Sequence, residues 1–130
     1  MFILLIYKYN DKKGEIMDAM IKESVAALFC HVIKLDGKDL EVERPLFCRF
    51  IQQDFESTTC EEANKLLDEV MEKEYNIDTQ ISILANALHN ETYTKMSVLK
   101  QLNYIIVKNK LQDDDYDVFD KVKKAFFPNG

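Results

Sequence analysis

Apolar residues recur along most of this chain at spacings of three, four and seven. Between Glu15 and Lys34, Ile16, Met20, Ala27 and His31 form one stripe, and Met17, Ile21, Val25, Leu28, Val32 and Leu35 lie beside it. A stripe that wide suits a central helix better than a surface one. Asp36-Gly37 closes the helix, because glycine tolerates the left-handed conformation that ends helices. A second helix is predicted from about Leu40 to Phe55, with Leu46, Phe47, Phe50 and Ile51 inward. Pro45 falls near its first turn, where a missing N–H costs least.

Thr58 and Thr59, each followed three residues later by a glutamate, offer overlapping capping boxes. The third helix they open carries Ala63, Leu66, Leu67, Val70 and Met71. A fourth is predicted from about Asp78 to His89, with Ile81, Leu84, Ala85 and Leu88 inward. A fifth, from Thr92 to Lys108, presents Met96, Leu99, Leu102, Ile105 and Ile106. The last opens on Asp113-Asp114-Asp115, acidic side chains favoured at a helix N-terminus. It carries Tyr116, Phe119, Val122 and Phe126 and stops at Pro128. No segment alternates with period two between hairpin turns. The fold class is therefore all-α, a compact bundle of about six or seven helices whose short loops imply antiparallel neighbours.

A chain of 130 residues makes one domain, and we place it at residues 15–130. Residues 1–14 form an apolar leader built on Phe2 to Tyr9, FILLIYKY. The leader is far short of the ~20 apolar residues of a transmembrane helix and lacks the basic region and cleavage site of a secretory signal. It is either a short strand or helix packed on the domain or a surplus extension, with Met17 and Met20 as internal starts. As a membrane-surface anchor it would be weak, since Lys8 is its one positive charge.

The net charge of −6 disfavours nucleic acid, whose phosphates need a basic stripe. Three cysteines, an odd number without a CxxC pair, point to reduced thiols in the cytoplasm rather than to a disulfide scaffold. Cys30, His31, Cys48 and Cys60 are spaced too irregularly for zinc, so Cys30 and Cys48 read as small buried hydrophobes. His31 falls on an apolar stripe and reads as a hydrogen-bonded core histidine; His89 reads as an exposed residue favourable to its helix dipole. No nucleophile elbow, P-loop, dinucleotide fingerprint or zinc-protease motif is present.

The chain is weakly duplicated. Val25, Phe29, Val32 and Ile33 match Val98, Leu102, Ile105 and Ile106 at an offset of 73, and Glu43, Leu46 and Phe47 match Asp115, Val118 and Phe119 at 72. Each half is a long helix, an acidic turn and a second helix. The stretch AALFCHVIKLDGKDLEVERPLFCRFI, with Asp36-Gly37 and then Glu43 seven residues after the aspartate, resembles the signature of the TerB-like family. That family takes in the tellurite-resistance protein TerB and the N-terminal cytosolic region of the co-chaperone DjlA. The resemblance spans about Ile16 to Phe127 and implies a bundle of six or seven helices. It departs from the family at Leu40 and Pro45, and in the second half, where Asn109-Lys110 replaces Asp-Gly and Asp115 replaces the glutamate.

Asp36, Asp39 and Glu43, with Asp113 and Asp115 from the second half, are the candidate ligands of a weak cation site. Hard cations such as Ca²⁺ or Mg²⁺ take oxygen donors of this kind. Neither turn follows the EF-hand order. The competing reading is helix capping: Glu43 in a first turn is favoured by the macrodipole, whereas Asp36 at a helix C-terminus is costly unless the turn or a cation compensates it. The function expected is a non-enzymatic cytoplasmic interaction or adaptor module of the TerB-like type. It would be stress-related, with an unidentified protein partner, no nucleic acid and no transmembrane segment. The alternative is a metal-dependent enzyme using the acidic cluster with His31 nearby.

Overall fold

The structure, a computed structural model, describes the backbone of residues 2–35, 39–55, 58–108 and 113–129 and the side chains of 19–35, 39–55, 58–104 and 117–129. The described residues form six helices and no strand: α1 (Phe2–Leu35), α2 (Leu40–Asp54), α3 (Cys60–Met71), α4 (Ile77–Ala87), α5 (Thr92–Lys108) and α6 (Asp113–Phe126). The all-α bundle expected from the periodicity is the fold observed.

The wide apolar stripe of α1 has the consequence expected of it: α1 packs against all five other helices. Val25, Ala26, Leu28 and Val32 are completely buried, and Phe29 stands edge-on to Phe47 at 5.3 Å and tilted against Phe50 at 5.7 Å. Burial of each of the larger side chains, Val25, Leu28, Phe29 and Val32, contributes ~1.5–3 kcal/mol, and the aromatic pairing adds to it. Ser24 donates to Gln80 Oε1 over 2.8 Å, pinning α1 to α4. Lys22 donates to Thr58 Oγ1 over 3.0 Å and lies 5.9 Å from the Phe55 ring centre, which ties the α2–α3 connection down on α1.

The caps explain the helix starts. Asp39 opens α2 by accepting from the Glu41 N–H, and Thr59 opens α3 by accepting from that of Glu62. Asn76 does the same for α4 toward Thr79, starting that helix one residue before the position expected. Three expectations need correction. The helix predicted from Glu15 begins at Phe2, so the leader backbone continues α1. Pro45 is the sixth residue of α2 rather than in its first turn, and it withholds an N–H from the Glu41 carbonyl. In α5 the inward stripe is Lys95, Val98, Leu99 and Leu102, while Met96 is 56% exposed.

Lys95, only 7% exposed, is the cation that the hydrophobic pattern concealed. Its Nζ donates to the His89 carbonyl over 3.1 Å and to the Phe126 carbonyl over 3.0 Å, and it stands 5.2 Å from the Phe127 ring centre. The ammonium thus sits where the C-terminal ends of α4 and α6 meet, each carrying a partial negative charge and unpaired carbonyls.

The two hairpins expected from the duplication are α1–α2 and α5–α6. Val25 and its counterpart Val98 are fully buried, as are Phe29 and Leu102. The correspondence weakens in the second helices, where Phe47 is buried and Phe119 only half-buried.

Candidate functional site

Of the five candidate cation ligands, the structure describes the side chains of two. Asp39 is exposed, with its carboxylate engaged at 2.9 Å by the Glu41 N–H as the cap of α2. Glu43 is 2% exposed, and neither of its carboxylate oxygens has a hydrogen-bond partner among the described residues. The capping argument placed Glu43 at a solvated helix start; α2 instead turns it inward, on the face that carries Phe47 and Phe50. A carboxylate removed from water without partners costs several kcal/mol, so among the described acidic side chains of α2 this most buried one is the one that most needs a positive charge. Asp36 and the side chains of Asp113 and Asp115 lie outside the described residues. Among the described residues no three of His, Cys, Asp and Glu come together as ligands.

A second feature lies between α5 and α6. Met96, Leu99, Phe119 and Phe127 line an open apolar groove of about 350 Å³, with Lys100 and Lys123 at its edges. With Lys95 turned into the core, Met96 is left exposed to line it. Tyr93, 79% exposed, extends the apolar surface along α5.

A cleft of about 290 Å³ runs beside α1, lined by Cys30, His31, Lys34, Lys73 and Tyr75 among others. Its chemistry is muted. The Cys30 thiol faces the Leu67 carbonyl at 4.0 Å, and burial pushes its pKa up to about 11. That leaves it protonated and inert at neutral pH. His31 is half-buried at the cleft rather than enclosed in the core, and burial, with Lys121 and Lys34 nearby, lowers its pKa. The Tyr75 hydroxyl donates to Glu23 Oε1 over 2.8 Å, and burial and that glutamate push it up to about 12. Cys30 and His31 are neighbours on a helix and point ~100° apart.

The cysteines also require a correction. Cys30 is a buried free thiol, as expected, but Cys48 and Cys60 are joined in a disulfide, with their Cα atoms 5.1 Å apart. The expectation of three reduced thiols rested on motif spacing. The packing of α2 against α3 sets the pairing instead, bringing the first residue of α3 beside the middle of α2. On the same seam Arg44 pairs with Glu41 at 2.8 Å and with Asp68 of α3.

No helix of the described residues is long and apolar enough to cross a membrane. No family model, curated protein or solved structure matches the chain.

Proposed function

We propose that the chain is a non-enzymatic helical interaction module of the TerB-like type, cytoplasmic and stress-related. The observation that carries this reading is the apolar groove between α5 and α6, whose lysine edges suit an acidic amphipathic helix from a partner protein. Aliphatic and aromatic anchors would enter between Met96, Leu99, Phe119 and Phe127, with carboxylates on the flank facing Lys100 and Lys123. The chain's overall charge of −6 makes that basic edge a local exception, and so a means of selecting partners. A divalent cation, Ca²⁺ or Mg²⁺, is the second part of the proposal: Glu43 supplies its buried charge, and Asp36, Asp39, Asp113 and Asp115 are the remaining candidate ligands.

Both parts are measurable. Wild type and Met96→Glu would be used as baits in native lysate, with and without chelator, and captured proteins identified by mass spectrometry. A partner held by the groove is retained by wild type and lost from a Met96→Glu variant of unchanged melting temperature; identical capture by both refutes the groove. For the cation, millimolar Ca²⁺ or Mg²⁺ should raise the melting temperature of wild type, since tenfold excess over Kd contributes ~1.4 kcal/mol. Glu43→Gln should abolish that rise, and an equal rise in both proteins refutes the ligand role.

A further inference from the structure

The Cys48–Cys60 bond borders an open groove of about 370 Å³ lined also by Arg44, Arg49 and Gln52. Three features separate this pair from a merely structural crosslink. Cys60 is the first residue of α3, where free backbone N–H groups and the macrodipole stabilise a thiolate. Both cysteines line the groove, but Cys60 is partly exposed whereas Cys48 is 6% exposed, so Cys60 is the more accessible of the two to an incoming thiol. Among the described residues the groove wall carries two guanidinium groups and no carboxylate; Arg44 is engaged by Glu41 and Asp68, Arg49 is exposed, and Glu61 and Glu62 beside Cys60 do not line the groove.

We propose that Cys48–Cys60 is a reversible thiol–disulfide site, and that Cys60 is a site of mixed-disulfide formation with a small carboxylate-bearing thiol of the glutathione class. The thiolate of the small molecule attacks Cys60 Sγ, and the protein S–S bond breaks. Cys48 leaves as a thiolate and takes a proton from water. Gln52 Oε1, 3.9 Å from Cys48 Sγ, then accepts that S–H. A second small thiolate attacks the external sulfur of the mixed disulfide, and Cys60 leaves as the thiolate that the N-terminus of α3 stabilises. Two electrons enter the protein, and two small thiols become one disulfide. Arg49 attracts the carboxylates of the small thiol. Cys30, buried on the Leu67 carbonyl, takes no part. The choice of a glutathione-class reductant rests on the cytoplasmic reading; the site itself rests on the geometry. Neither cysteine enters the Met96 or Glu43 assays, so the two readings fail separately.

The test equilibrates the full chain in buffers from all-oxidised to all-reduced glutathione, quenches with acid, alkylates the free thiols and maps them by mass spectrometry. Cys48 and Cys60 should pass together from bonded to alkylated within that range, while Cys30 is labelled only after unfolding. Cys48→Ser should accumulate one glutathione on Cys60, and Arg49→Glu should slow that step ~fivefold. A bond that survives millimolar reduced glutathione in the folded chain overturns the proposal. So does a pair that stays reduced in oxidised glutathione, and both results are read on wild type. An Arg49→Glu rate equal to wild type overturns the docking role of the arginine.

Discussion

Replacing Lys95 by methionine keeps the apolar stem of the side chain and removes its charge. Wild-type Lys95 makes two hydrogen bonds to carbonyls, at 3.1 and 3.0 Å, and lies over the Phe127 ring. Hydrogen bonds to a charged group contribute ~1.5–3 kcal/mol each, and the ring adds ~0.5–1 kcal/mol. Desolvation of the ammonium offsets part of that sum. The variant keeps the desolvation of the carbonyls at the ends of α4 and α6 without their partner, so the net loss should be about 3 kcal/mol. An unfolding entropy of ~2.1 cal/mol/K per residue makes this a fall of about 11 °C in melting temperature for 130 residues. Circular dichroism at 222 nm, by heat and by urea, measures it. The same loss should be seen in high salt, because a buried contact escapes screening. A loss under about 1 kcal/mol, or one that fades with salt, would refute the claim that this ammonium joins the two helix ends.

Two further expectations follow from the titratable groups. The lowered pKa of His31 means that, between its folded value and the unfolded ~6.5, the unfolded chain binds more protons; stability should therefore drop as pH falls through that window, and His31→Gln should flatten the drop in urea midpoints. Burial, opposed by Ser97, raises the Asp54 pKa, and neither carboxylate oxygen has a partner of good geometry among the described residues. Its charged form is thus the costly one above its folded pKa, at the unfavourable C-terminal end of α2. Asp54→Asn should raise the melting temperature at pH 7 by a few degrees, as ~0.5–1 kcal/mol would, with the gain vanishing near pH 4; a gain independent of pH would contradict this.

The sequence made the bundle legible because its dominant signal is burial at helical spacing. Val25, Leu28 and Val32 stand where the period put them, and α5 begins and ends at the residues expected. The errors occur where polar atoms override that signal. In α5 hydropathy favoured Met96 over Lys95, yet Lys95 turns inward because two helix ends offer carbonyls for its ammonium. Glu43 suited a solvated helix start on propensity alone, and the turn of α2 that follows from packing Phe47 and Phe50 carries it inside. The Cys48–Cys60 pairing depends on how two helices meet, a property that no short motif encodes. The cap at Asn76 was visible in principle, as an asparagine three residues before a threonine whose N–H it accepts.

Because α1 touches every other helix, the order of synthesis bears on how the chain reaches its fold. The stretch from Val25 to Ile33, the longest run of buried side chains among the described residues save for half-buried His31, is made before the helices that cover it. Its principal cover, α4, is complete roughly 50 residues later, which at ~5–20 residues per second is roughly 3–10 s of elongation. During that interval a strongly apolar helix face has only α2 and α3 to lie against, and α5 and α6 arrive later still. This buried stretch of α1 is thus fully covered only when the last helix is made. Holding factors that shield nascent chains would find their natural grip on Ala26–Ile33.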